Sequence, residues 1–110
     1  MTTIVIRKDS NSEYRDFYCM GHADFAEKGQ PDILCAAVSV LVTNTINSLE
    51  VLAKEKITYA TNEETGFIRC EFPEKIQEKS AFLLDSMVFG LQTLEQAYGK
   101  KYLQVKFEEV

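Results

Sequence analysis

The sequence contains one histidine and three cysteines, so few residues could form a histidine-activated thiol or a metal site. It has no glycine-rich phosphate loop and no Ser–His–Asp order, which argues against a nucleotide-binding loop and a serine hydrolase. It has no stripe of Lys and Arg, and a net charge of -5 argues against direct binding of nucleic acid. Such an acidic surface suits a basic peptide or protein partner.

Signals for export or membrane insertion are also missing from the sequence. The stretch Met1–Arg7 lacks the basic-then-apolar layout of a signal peptide, and no apolar run approaches the length of a membrane span. We therefore expect a cytoplasmic protein with no membrane partner. In a reducing compartment, an odd number of cysteines predicts free thiols rather than a disulfide framework.

Low-complexity tracts, linkers and internal repeats are absent, so the 110 residues predict one domain that covers 1–110. With 45% apolar and 11% aromatic residues, the chain can fill a modest core and leaves little surface to spare. Dimerisation would be a natural supplement to a core of this size.

Periodicity predicts seven elements of secondary structure. Strands are predicted at 3–8, 13–20, 57–61, 67–72 and 102–107. A first helix is predicted from Ile33 to about Lys54, and its first half is apolar nearly all round, which is typical of a buried helix. A second helix is predicted to open at Pro73 and to end at Gly99. The order ββαββαβ favours an α+β fold with one mainly antiparallel sheet and two long helices packed on it.

The second predicted strand carries apolar groups on both faces. Alternation places Phe17 and Cys19 on one face, with Tyr14, Tyr18 and Met20 on the other. We therefore expect this strand inside the sheet or against a second subunit.

Residues with chemical potential are concentrated between Gly21 and Ser39. Asp32 has the composition of a helix N-cap, and Cys35 is the third residue of the helix that follows. The free amides and the positive dipole end of a first helical turn favour an anion, so a thiol there should ionise readily. His22 precedes a short loop that could fold it back onto the helix start, as a cysteine nucleophile with a histidine base requires.

Neighbouring groups suggest supporting roles. Backbone amides of Leu34 or Cys35 are the expected oxyanion donors. Asp32 suits a cap better than a third catalytic position, because a carboxylate beside the sulfur would oppose ionisation. Ser39 lies one turn after Cys35 and could hydrogen-bond in the site or pack within the helix. Gly21 either allows a close backbone approach or serves as a permissive strand end.

The predicted loop 23–31 contains Gly29 and Pro31, with Phe25 as its conspicuous anchor. We expect it to be mobile and able to close over an extended peptide. A sheet edge beside it could accept that peptide as an added strand.

The cysteines and the histidine also have simpler interpretations. A cysteine among Ile, Leu, Ala and Val is usually a small core residue, which is how we interpret Cys19 and Cys70 in their strands. Three Cys and one His are the number and types of ligands that a Cys₃His zinc site needs. However, Cys19 and His22 are three apart on a predicted strand and the other cysteines lack paired-ligand spacing, so we expect no metal and no cofactor.

The sequence resembles a known family in two stretches. Gly21-His22-Ala23, followed by Asp32-Ile33-Leu34-Cys35-Ala36-Ala37-Val38-Ser39, is similar to the signature of the bacterial ribosomal-processing cysteine proteases, called Prp. The likeness extends over the whole chain in length and element order. It implies a cytoplasmic, homodimeric endopeptidase that trims a short N-terminal extension from a large-subunit ribosomal protein. It also implies that Cys35 is the nucleophile and His22 its base.

One spacing departs from the family pattern. The family usually has a single residue between the loop glycine and the aspartate, whereas Gln30 and Pro31 separate Gly29 from Asp32 here. Both residue types of the expected dyad are nevertheless in place.

Other classes of function stay open at this stage. The main alternative is a non-catalytic ribosome-assembly or interaction protein whose Cys35 thiol is structural, and a weaker one is a thiol hydrolase or acyl-transfer enzyme acting on a small substrate. Thiol reactivity separates a catalytic from a structural Cys35. A catalytic Cys35 should alkylate near neutral pH faster than Cys19 or Cys70, and should lose that advantage in a His22→Ala variant.

Overall fold

The computed structural model describes residues 1–27 and 29–110. Within these residues the elements are β1 Thr2–Lys8, β2 Tyr14–Met20, α1 Ile33–Val51, β3 Thr58–Asn62, β4 Phe67–Glu71, α2 Glu78–Tyr98 and β5 Leu103–Glu109. The strands described form one sheet in the order β3-β4-β2-β1-β5. β1–β2, β2–β4 and β3–β4 are antiparallel, while β5 joins β1 in parallel. The predicted α+β fold, with a mainly antiparallel sheet and two long helices, is confirmed.

The hydrophobic core lies between the sheet and the two helices. Burial of each large apolar side chain there contributes about 2 kcal/mol of transfer free energy. The largest fully buried apolar side chains of the core are Phe17, Ile4, Ile6, Leu34, Leu49, Leu84, Met87, Leu91 and Leu103. Both helices contribute to this core, and so does every strand except β3. The position of each helix on the sheet is therefore set by packing.

β2 lies inside the sheet, between β1 and β4. Phe17 and Cys19 share one face of β2, as predicted. The helices cover this face, and the two side chains are 0% and 4% exposed. The prediction for Tyr14 is wrong, because this side chain is also buried in the core and its hydroxyl donates to Asp85 of α2 at 2.5 Å.

A break in strand register explains where Tyr14 points. Arg7 pairs with Asp16, but the next residue, Lys8, pairs with Tyr14, so Arg15 is an extra residue in β2. An inserted residue of this kind shifts the side-chain alternation by one position. Tyr14 therefore joins the face of the sheet that the helices cover.

α1 is buried along one side only, which corrects two expectations. Ile33 and Val40 are 59% and 66% exposed, because the sheet covers a single face of the helix. The helix has 19 residues and a mean hydropathy of 1.4, so by length and composition it could cross a membrane. The expectation that no apolar run approaches the length of a membrane span is therefore wrong. Its inner side, with Leu34, Val42 and Leu49, packs in the core, and a core helix meets the same two criteria.

α2 starts later than predicted. It begins at Glu78 rather than Pro73, and its N-cap residue Gln77 makes no side-chain cap. Glu55, from the segment between α1 and β3, supplies the missing acceptor: its Oε1 accepts from the Gln77 N–H at 2.9 Å and the Ser80 hydroxyl at 2.7 Å. A carboxylate distant in sequence therefore satisfies the helix start.

Removal of this cap should destabilise the fold. We expect Glu55→Ala to lower the free energy of unfolding by about 2 kcal/mol, because the helix loses its cap and the buried Ser80 hydroxyl loses its acceptor. Burial raises the pKa of Glu55, but the Gln77 N–H and the Ser80 hydroxyl lower it by more, so it lies below 4.5. The stabilisation is thus present above that value and is lost as the pH falls through the folded-state pKa.

Urea unfolding followed by circular dichroism, at pH 7 and about pH 3, measures this effect. Glu74→Ala is the control, because Glu74 makes only a 3.8 Å ion pair with Lys56 in which both side chains are over 70% exposed and should change stability by less than about 0.5 kcal/mol. Equal losses in the two variants would contradict the capping role.

Candidate active site

Asp32 joins the start of α1 to the preceding loop. Its Oδ1 accepts from the Cys35 N–H at 2.9 Å, which is the predicted N-cap, and its Oδ2 accepts from the Phe25 N–H at 2.9 Å. The Phe25 ring meets Tyr98 and Tyr102 edge-on, with centroids 4.9 and 5.2 Å away. Phe25 is therefore the anchor that the sequence suggested. Residue 28 of the predicted mobile loop lies outside the described residues.

Four of the predicted site residues line one cleft between α1 and the β3–β4 hairpin. They are Gly21, His22, Cys35 and Ser39, and the cleft has a volume of about 350 Å³. Asp32 does not line the cleft, because its carboxylate is directed at backbone amides. The Leu34 side chain is 0% exposed and packs in the core, so only its amide was a candidate for chemistry.

The end of β2 is held against the β3–β4 turn. The exposed His22 ring places Nε2 3.1 Å from the Glu64 carbonyl oxygen, and the Gly21 N–H donates to the Thr65 carbonyl at 3.1 Å. Gly21 has a φ of +83°, and a Cβ there would collide with the Met1 carbonyl. The positive φ directly after β2 fits the permissive strand end, and a close approach of a substrate backbone at Gly21 stays a prediction.

The amides predicted as oxyanion donors already have acceptors. The Cys35 N–H donates to the Asp32 carboxylate, the Leu34 N–H also interacts with it, and the Ala36 N–H donates to the Asp32 carbonyl at 3.0 Å. These groups can reach a substrate oxygen only if Asp32 releases them. The oxyanion role of Leu34 and Cys35 therefore stays a prediction.

The cysteines occupy three different environments. Cys35 is half-buried in the first turn of α1, whereas Cys19 and Cys70 are buried in the core as predicted. Burial, and then the charge of Cys35, raise the pKa of Cys19 to about 11. Burial, and then Glu71 and Asp16, raise the pKa of Cys70 to about 12. Both core thiols are thus protonated and unreactive at neutral pH.

Part of the cleft was missed by sequence reasoning. Cys19 lines it from β2, and the β3–β4 hairpin contributes Asn62, Glu63 and Gly66. Residues 63–66 form the turn between β3 and β4, and the sheet order brings this turn beside β2. Across residues 1–27 and 29–110, no group of three or more His, Cys, Asp or Glu side chains is arranged to hold a metal ion.

The family model described as cysteine protease Prp matches residues 1–104. The chain belongs to the cysteine protease Prp family. Among curated relatives, the ribosomal processing cysteine protease Prp of Bacillus subtilis (strain 168) is 33% identical over 102 residues, covering 89% of this chain and 90% of the relative. The protein of the same description from Staphylococcus aureus (strain Mu50) is 26% identical over 100 residues, covering 91% and 93%. This Prp family member is therefore a cysteine protease.

Solved structures of Prp proteins share the fold of this family member. The S. aureus ribosomal processing protease Prp with a covalently linked product peptide has a TM-score of 0.89 at 24% identity, covering 98% of this chain and 100% of that chain. The same S. aureus protease with a substrate peptide has a TM-score of 0.82 at 23% identity, covering 100% of both chains. The resemblance identified from the two sequence stretches is confirmed by the family match.

The double role of the Asp32 carboxylate predicts its effect on stability. We expect Asp32→Ala to lower the free energy of unfolding by about 1–2 kcal/mol at pH 7, whereas Asp32→Asn, which retains a capping oxygen, should lose less. Burial raises the pKa of Asp32, but the N–H groups of Cys35 and Phe25 lower it by more, to below 3.8. The stabilisation is present above that value and disappears as the pH falls through the folded-state pKa.

Guanidinium unfolding of the wild type and both variants, at neutral pH and at about pH 2.5, measures the difference. We expect the gap between wild type and Asp32→Ala to narrow at the lower pH. A gap that is constant with pH, or an Ala variant as stable as wild type, would show that the carboxylate charge does not hold the helix start.

Proposed function

We propose that this protein is an endopeptidase that removes a short N-terminal extension from a large-subunit ribosomal protein, with Cys35 as nucleophile and His22 as general base. The observation that carries this proposal is the cleft that His22 and Cys35 share, with Cys35 in the first turn of α1. The relatives support the substrate, since they are described as ribosomal processing proteases.

The chemistry follows from the two side chains. His22 takes the Cys35 proton, which leaves a thiolate stabilised by the imidazolium and by the positive end of the α1 dipole. The thiolate attacks the scissile carbonyl carbon, and His22 then gives its proton to the leaving amine as the C–N bond breaks. Water, activated by His22, hydrolyses the thioester, releases the acyl product and restores the thiol.

The surroundings of the cleft suit a peptide rather than a small molecule. Every residue of the edge strand β3 is exposed, and Thr61 and Asn62 at its end also line the cleft. A free strand edge offers backbone groups with which an extended peptide can pair. The net charge of -5 and the acidic Glu63 at the cleft favour a basic segment of the substrate.

Incubation with the extended ribosomal protein, followed by mass spectrometry of the products, tests the function. We expect a single shortened product and a loss of kcat/KM of at least about a thousandfold in Cys35→Ala and His22→Ala. Cys70→Ala, which alters a core thiol away from the cleft, is the matched control and should retain cleavage.

Alkylation by iodoacetamide near pH 7.5 separates the alternatives. Cys35 should react at least about a hundredfold faster than Cys19 or Cys70, and His22→Ala should slow the reaction of Cys35 at least about tenfold. Because Cys19 and Cys70 are buried whatever the function, a Cys35 rate that is unchanged in His22→Ala is the result that would favour a non-catalytic interaction protein. A reactive Cys35 without cleavage of the extended protein would favour a hydrolase or acyl-transfer enzyme of small substrates.

We also propose that the protein works in the cytoplasm, away from membranes, as a homodimer joined through the outer face of its helices. β2 lies inside the sheet, so both of its edges are already paired and it cannot extend the sheet into a second subunit. Val40, Phe82 and Phe89 are instead 66%, 74% and 74% exposed. α1 carries one charged residue, Glu50, whereas α2 carries Glu78, Lys79, Asp85 and Glu95. Two copies of net charge -5 would therefore meet with least like-charge repulsion along α1.

Sedimentation velocity measures the oligomeric state. We expect a dimer for the wild type and a monomer for the double variant Phe82→Glu and Phe89→Glu, because burial of two carboxylates in an apolar interface is costly. Phe107→Glu, at a 54% exposed position in β5, should remain dimeric. A wild type that is monomeric at every concentration would contradict the proposal.

A further inference from the structure

The β3–β4 turn approaches the histidine side of the cleft very closely. The Glu64 carbonyl oxygen lies 3.1 Å from His22 Nε2, and the Thr65 carbonyl accepts from the Gly21 N–H. A Cβ on Gly66 would lie 2.5 Å from the Gly21 carbonyl oxygen and 3.2 Å from His22 Cε1. Only glycine permits this approach, so the turn and the end of β2 form one packed unit.

Short-range hydrogen bonds fix the shape of the turn. Asn62 Oδ1 accepts from the N–H groups of Glu64 and Thr65 at 3.1 and 3.4 Å. The Gly66 N–H donates to the Glu63 carbonyl at 3.4 Å, and Gly66 has a φ of +67°. An Asn side chain that bonds the backbone two residues on is a common device for closing a turn. The direction of the Glu64 carbonyl is therefore set by the turn itself.

The contact with Glu64 determines which ring nitrogen of His22 can act as a base. A carbonyl oxygen can only accept, so Nε2 must carry a proton and Nδ1 is left free to take one. When the imidazolium forms, the Nε2–H···O=C bond becomes charge-assisted and stronger. Asp32 does not fill this role, because its two oxygens are bound to the Cys35 and Phe25 amides.

We propose that the β3–β4 turn is the positioning element for His22, with the Glu64 carbonyl doing what a third side chain does in Cys–His–Asn and Ser–His–Asp sites. The inference rests on the proposed pairing of His22 with Cys35. It adds that Nδ1 is the nitrogen that exchanges the proton, and that Asn62 and Gly66 set the reactivity of Cys35 without touching the substrate bond.

The pH profile of Cys35 alkylation, measured without substrate, tests the proposal. We expect Gly66→Ala and Asn62→Ala to slow alkylation at pH 7 by at least about tenfold and to move the profile to higher pH, because a misplaced imidazolium stabilises the thiolate less. Asn62→Ser should move the profile back toward the wild type, since its hydroxyl oxygen can accept from the same N–H groups without adding a charge to the cleft.

Gly99→Ala is the matched control for backbone strain. Gly99 has a φ of +100°, but a Cβ there meets no atom within 4 Å, and the residue does not line the cleft. This variant should keep the wild-type profile. If Gly66→Ala and Asn62→Ala also keep the wild-type pH profile while His22→Ala changes it, the positioning role of the turn is overturned and the proposed pairing of His22 with Cys35 is retained. If His22→Ala keeps the wild-type profile too, the positioning role and the pairing are both overturned.

Ring-¹⁵N NMR offers a measurement that needs no change in the turn. His22 is the single histidine in the sequence, so its two ring nitrogens are observed without assignment. In a Cys35→Ala variant above the imidazole pKa, we expect the proton on Nε2 and a bare Nδ1. A proton resident on Nδ1 would overturn the proposal.

Discussion

The carboxylate of Asp32 is the constraint on which the site depends. One oxygen caps α1 at Cys35 and the other holds the loop at Phe25, so the helix start and the loop after His22 are tied to a single side chain. The N–H groups of the first helical turn that Asp32 caps need no water as a partner, and their dipoles still favour a negative charge on the thiol. The same bonds keep the carboxylate engaged with the backbone, so that it does less to oppose a thiolate.

The second half of the site comes from the sheet order. β4 pairs with β2, which carries the β3–β4 turn across to the residues that follow β2. In this turn, the Glu64 carbonyl contacts His22 Nε2 and the Thr65 carbonyl accepts from the Gly21 N–H. In the proposed dyad, the nucleophile lies on a helix and the base follows the end of a strand. The two residues are held by different parts of the chain and line one cleft.

Much of the fold was predictable because it follows from local chemistry. The start of α1 follows from the Asp32 cap, and the end of α2 from Gly99. The late start of α2 was not predictable, since the acceptor at its first turn is Glu55, which precedes β3. The inward turn of Tyr14 was missed for a related reason, because a bulge depends on the partner strand as well as on the strand itself.

The candidate site divides in the same way. The sequence by itself determined that a thiol would lie in the first turn of a helix capped by Asp32, because capping acts over a few residues. Only the tertiary structure decided that His22 and Cys35 line one cleft and that Cys19, with a raised pKa, lines it too. It also decided that a turn from another hairpin faces His22. Those contacts join residues far apart in the chain, and they exist only where packing of the sheet against the helices brings them together.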